Sequence, residues 1–133
     1  MDRELLLQNF EMLFKARGMS PVHGRVFGVL YLNGVLSQRQ LAEQTGYSVP
    51  AVSVALDELV RVGLVAWGKA AGKRERVYKA EHDLTAVFRK FLRAVKDQHI
   101  TPFRMLLELS GDKRIGGDVK KFERYLQRVI EVE

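Results

Sequence analysis

Cysteine is absent from the 133 residues of this chain, which excludes a disulfide framework and any thiolate zinc site. That absence suits a reducing compartment, and a cytoplasmic location is expected. Long apolar runs are missing too. Nothing approaches the roughly 18 residues of a membrane span, so no membrane association is expected. Met1-Asp2-Arg3-Glu4 is mixed in charge, and Leu5-Leu6-Leu7 is soon interrupted by Gln8 and Asn9, which argues against a signal peptide. No Gly-rich phosphate loop, nucleophile–base spacing or pair of carboxylates in an apolar frame occurs, so neither an enzyme nor a cofactor is expected. Histidine is scarce and scattered, at His23, His82 and His99. His82 stands between Glu81 and Asp83, yet adjacent residues seldom aim at one ion, and no metal site is expected.

What is present is an ordinary globular mixture, 47% hydrophobic and 29% charged. A chain of this length forms one compact domain and buries roughly two-thirds of its unfolded surface. The formal charge of +6 favours polyanionic partners. Its distribution says more than its sum. In residues 1–67 the cations Arg3, Lys15, Arg17, Arg25, Arg39 and Arg61 are matched by an equal number of acids. In residues 68–80, Lys69, Lys73, Arg74, Arg76 and Lys79 face Glu75 alone. The excess is concentrated in one short stretch.

The apolar spacing predicts a helix over residues 2–17, broad enough to bury more than one face. A second begins at Ser20-Pro21, where serine can cap and proline suits the first turn, and ends at Asn33-Gly34. Gly24 and Gly28 share one side of it, which implies close approach by another helix. Ser37-Gln38-Arg39-Gln40 has the form of a capping box and opens a short helix that stops at Thr45-Gly46. Ser48 caps a further helix with Val52, Ala55, Leu56, Leu59 and Val60 inward. Leu64 to Trp67 and Arg76 to Lys79 read as a hairpin with a basic tip, Trp67 and Tyr78 packing across it. From Leu84 an amphipathic helix follows, which Pro102 kinks or interrupts. Phe103, Leu106, Leu107 and Leu109 are expected to continue its apolar face. Ser110-Gly111 and Gly116-Gly117 are read as bracketing a loop before a last amphipathic helix.

Helix, short helix, four-residue turn, helix and basic hairpin, in that order, make a winged helix-turn-helix. Gly46 falls where the turn needs left-handed backbone angles. The helix from Ser48 can enter the major groove of duplex DNA, offering Ser48, Val49, Pro50, Ala51, Ser53 and Val54. Lys69, Lys73, Arg74 and Arg76 can lie along phosphates or reach the minor groove. His23, Arg25 and Gln38 are candidates for phosphate or pocket contacts. The outward positions lack the Arg, Asn and Gln that make strong base contacts until Arg61. Modest or A·T-leaning specificity is therefore expected, with affinity dominated by phosphates.

The run Leu41-Ala42-Glu43-Gln44-Thr45-Gly46-Tyr47-Ser48, followed by Val52-Ser53 and Leu56-Asp57-Glu58-Leu59, resembles the helix-turn-helix of MarR-type regulators. The stretch Gly18 to Gly28 and the wing Gly72 to Glu81 resemble the GbsR branch of that superfamily. The resemblance covers residues 18–83. It implies a dimeric DNA-binding transcription factor, a repressor in many members. The family usually has a cation or long polar residue on the outer side of its recognition helix, which this chain lacks.

The expected fold is mostly α with a small β-hairpin, a single domain over 1–133. Residues 1–17 would form an N-terminal dimerisation helix, 18–82 the winged core and 83–133 the C-terminal dimerisation helices. More apolar surface is available than one core of this size can cover, which favours a two-fold homodimer on double-stranded DNA. A small-molecule effector in the seam between core and dimer helices is compatible with this plan, although no residue identifies it. A rival reading stays open: a winged-helix adaptor for another protein, without specific DNA binding.

Overall fold

The computed structural model describes residues 2–131, which separate into two compact units meeting at Asp83 and Leu84. The first contains α1 (Arg3–Ala16), α2 (Pro21–Asn33), β1 (Leu36–Ser37), α3 (Gln38–Thr45), α4 (Val49–Arg61), β2 (Val65–Lys69) and β3 (Arg76–Ala80). It is a winged helix-turn-helix. The second contains α5 (Leu84–Val95), a π-helical turn (Lys96–Ile100), α6 (Thr101–Ser110) and α7 (Lys113–Glu131). Among the described residues, no helix is long and apolar enough to cross a membrane.

Local chemistry sets the boundaries of the first unit. The Ser20 hydroxyl accepts from the Val22 amide, with Pro21 in the first turn where its missing N–H costs nothing. At α3 both halves of the capping box form: Ser37 Oγ accepts from the Gln40 amide, and Gln40 Oε1 accepts from the Ser37 amide. Ser48 Oγ caps α4 by accepting from Ala51 N. Between these helices Gly46 takes φ +78°, the left-handed region that β-carbons disfavour.

Central to this unit is α2, whose Val26, Phe27, Val29 and Leu30 are fully buried. Leu41 of α3 and Val52, Leu56 and Leu59 of α4 complete the core, each such side chain contributing about 1.5–3 kcal/mol by burial. The partner implied by Gly24 and Gly28 is α1. A β-carbon on Gly24 would lie 2.5 Å from the Phe10 carbonyl oxygen and 2.7 Å from Glu11 Cα. One on Gly28 would lie 2.9 Å from Phe10 Cδ2. The backbones cross so closely that Phe10 meets Phe27 and Tyr31 and Phe14 meets Phe27, with ring centroids 5.2–5.7 Å apart.

The sheet has the order β1-β3-β2, antiparallel throughout. Sequence reading found the hairpin but not β1, where Leu36 pairs with Tyr78 and Ser37 with Val77. Two residues are too few to show an alternation, and Ser37 is already committed to capping α3. His82 closes the unit, its ring stacked on Tyr31 and its Nε2 3.1 Å from the Tyr31 carbonyl.

In the second unit α7 folds back along α6 and α5, burying Val87 and Phe91 together with Val119, Leu126 and Ile130. Two expectations need correcting. Gly116 and Gly117 lie inside α7, not at the edge of a loop, because the link between α6 and α7 is only Gly111 and Asp112. The Asp112 carboxylate accepts from Arg114 N and starts the helix early. Two helical glycines cost about 1 kcal/mol each relative to alanine, which the apolar stripe behind them offsets. At Pro102 the α-helical geometry is interrupted, as its sequence position led one to expect. The turn before it widens to π geometry, where the Thr101 amide reaches Lys96 O, and this makes room for a ring that would press on an α-helical carbonyl. The inward side then runs Phe91, Val95, Ile100, Arg104, Leu107, with a step of five in the middle. Of the four residues expected to continue the apolar face, Leu107 does so, whereas Phe103, Leu106 and Leu109 are exposed.

Candidate nucleic-acid interface

Capped by Ser48 and held from behind by buried Val52, Ala55, Leu56 and Leu59, α4 has its opposite side open to solvent. Ser48, Val49, Pro50, Val54, Asp57 and Arg61 are exposed there, and Ala51 and Ser53 are half-buried at its margins. Gln38, at the start of α3, donates from Nε2 to the Val49 carbonyl at 3.4 Å, tying the first turns of the two helices together. Its amide is thus a structural tie rather than a free polar group.

The hairpin register sorts its cations by face. Val65 is opposite Ala80, Trp67 opposite Tyr78 and Lys69 opposite Arg76, so these six residues share one side of the ribbon. At the base Val65, Ala80 and Tyr78 are buried against the helices of the unit. Further out the same side emerges into water, carrying Trp67, then Lys69 and Arg76. Lys73 and Arg74 are exposed in the connecting loop. The ribbon face that packs on the core therefore becomes, past the edge of that core, a cationic one. Trp67 does pair across the strands, but it is 45% exposed. The Arg76 guanidinium carbon lies 3.9 Å from its ring centroid. Sequence reading missed this stacking, although the register alone makes Trp67 and Arg76 diagonal neighbours.

Arg25 and His23, candidates for phosphate or pocket contacts, are committed inside the unit. Arg25 donates from Nη1 to Glu11 Oε1 at 2.6 Å and from Nη2 to Glu4 Oε2 at 2.6 Å, with its side chain 18% exposed. His23 is 8% exposed and donates from Nε2 to Glu58 Oε2 at 3.1 Å, joining α2 to α4. Helical spacing could not reveal either pairing, since the acids come from α1 and α4. Tyr47, in the turn before α4, lies in the same field: burial first, then the charge of Glu11, push its phenol up. Arg3 adds a 3.4 Å contact to Gln44.

The hydrogen bond from Arg25 holds the Glu4 carboxyl below its ordinary value. A carboxylate depressed in the folded state contributes stability above its unfolded pKa and loses it as pH falls through the folded value. Urea unfolding of wild type and Glu4→Gln should therefore differ at about pH 6 and converge below about pH 4. A gap that persists unchanged into acid would refute the assignment.

The model of the MarR family matches residues 17–74, from the end of α1 to the tip of the wing. A solved transcriptional regulator is similar over 98% of this chain and 87% of its own, at 19% identity and a TM-score of 0.65. NadR in complex with 4-hydroxyphenylacetate is similar over 98% and 88%, at 20% identity and a TM-score of 0.52. MepR, a transcription regulator of the Staphylococcus aureus multidrug efflux pump MepA, is similar over 92% and 91%, at 18% identity and a TM-score of 0.51. No curated protein matches. At such identities the likeness to these structures is one of fold, a winged helix-turn-helix with flanking helices.

Proposed function

We propose that this chain is a DNA-binding transcriptional regulator of the cytoplasm, working as a homodimer and acting as a repressor. In this reading α4 enters the major groove, while Lys69, Lys73, Arg74 and Arg76 hold the backbone or minor groove. The observation that carries it is the hairpin side that is core-facing at its base and cationic at its tip, next to an α4 whose outer side is uncovered. The MarR match over the helix-turn-helix and as far as the tip of the wing supports the same class. Gly18 to Gly28 and the wing favour the GbsR branch within it. Exposed apolar residues on α1 (Leu5, Met12) and on α6 (Phe103, Leu106, Leu109) support association of two copies. NadR was solved with 4-hydroxyphenylacetate, and a small-molecule effector is proposed here by that likeness alone.

A second reading, an adaptor that docks on another protein, is favoured by one feature: α4 exposes Val49 and Val54 and no cation before Arg61. Affinity for unrelated short duplexes, measured against salt, separates the two. A regulator held by four cations on the wing of each of two protomers should show log K falling with log salt at a slope of roughly −7. No binding at low salt, or a constant indifferent to salt, would overturn the proposal.

A further inference from the structure

We infer that Trp67 is a positioning residue for Arg76, a shelf that fixes the guanidinium at the tip of the wing so that its edge meets the duplex. The inference rests on the DNA-binding reading above and goes beyond it in assigning the indole a task. A tryptophan 45% exposed on a hairpin, in a chain with no other tryptophan, is not explained by core packing alone. Its strand partner Tyr78 fills the buried position at the same level. Trp67 is beside it on the edge strand β2, where the ribbon leaves the core, and the Arg76 guanidinium lies over its ring at 3.9 Å.

The arrangement suits recognition for a physical reason. An arginine on an exposed ribbon samples many rotamers, and binding must select one of them. Stacking on an aromatic face uses the plane of the guanidinium and leaves the N–H donors around its edge, which are the groups a phosphate or base edge accepts from. Lys69 is directly opposite Arg76, and the diagonal pairing gives the indole to the arginine. Trp67 thereby prepares one cation of the wing for contact, while Lys73 and Arg74 remain in the loop.

A double-mutant cycle on duplex binding tests this. Trp67→Leu is expected to weaken binding about three- to fivefold and Arg76→Ala about tenfold. The double variant should bind like Arg76→Ala alone, because a shelf without its arginine has nothing to hold. Trp67→Phe should recover most of the loss. In the free protein, Arg76→Ala should shift the emission of the sole tryptophan. Additive losses, or unchanged emission, would overturn the inference while leaving DNA binding intact. Failure of the wild type to bind any duplex would overturn the underlying reading, and this inference with it.

Discussion

Gly24→Ala is expected to destabilise the first unit by about 3 kcal/mol, read from urea unfolding. A methyl group in a helix interior ordinarily helps, by about 1 kcal/mol relative to glycine. Here its carbon would sit 2.5 Å from the Phe10 carbonyl oxygen and 2.7 Å from Glu11 Cα. Neither atom is the end of a flexible side chain, so α1 as a whole must back away from α2. That movement opens the Phe10–Phe27 and Phe14–Phe27 contacts and pulls Glu4 and Glu11 from Arg25. Gly28→Ala should cost less, since its nearest neighbours are side-chain atoms of Phe10 and Leu7 that can turn aside. Gly117→Ala is the control: a β-carbon there meets nothing, and about 1 kcal/mol should be gained. A Gly24→Ala protein as stable as wild type would show that the two helices do not cross where described.

Replacing Lys73, Arg74 and Arg76 together by alanine should weaken duplex binding by on the order of a hundredfold near 0.1 M salt. The loss should be similar on every sequence, because phosphate contacts carry no base information. Each released counterion contributes about 0.9 to the slope of log K against log salt, so with three cations lost from each of two wings the slope should flatten by roughly 5. Stability should change by less than about 0.5 kcal/mol, as all three side chains are exposed. A triple variant that binds as tightly as the wild type, with the same salt slope, would remove the wing from the interface. Loss confined to a few sequences would point instead to base contacts by Arg76.

Much of the first unit is written in local signals. Ser20, Ser37 and Ser48 each mark a helix start by a side chain that satisfies an amide one turn on, and all three do so in the structure. The Gly24 and Gly28 spacing announced a close crossing, though not which helix would make it. The candidate interface was partly legible as well: α4 and the basic hairpin followed from order and charge. What could not be read were relations between distant residues. Arg25 looked available until Glu4 and Glu11 arrived from α1, and His23 until Glu58 arrived from α4. Gln38 looked free until its amide met the Val49 carbonyl. A cation counted along the chain has no partner; a cation in a folded unit has the partners its topology delivers.

Beyond Leu84, periodicity misled for a different reason. The eye extends an apolar stripe at constant pitch, and the pitch is not constant. The single wide turn at Lys96–Ile100 acts as a phase shifter, advancing everything after it by one residue. Arg104 rotates into line behind Phe91 and Val95, where it donates from Nε to Glu123 at 3.0 Å. Phe103, Leu106 and Leu109 rotate out by the same amount. One added residue thus decides which side of the last half of that long helix is greasy and which is ionic, without altering a single side chain.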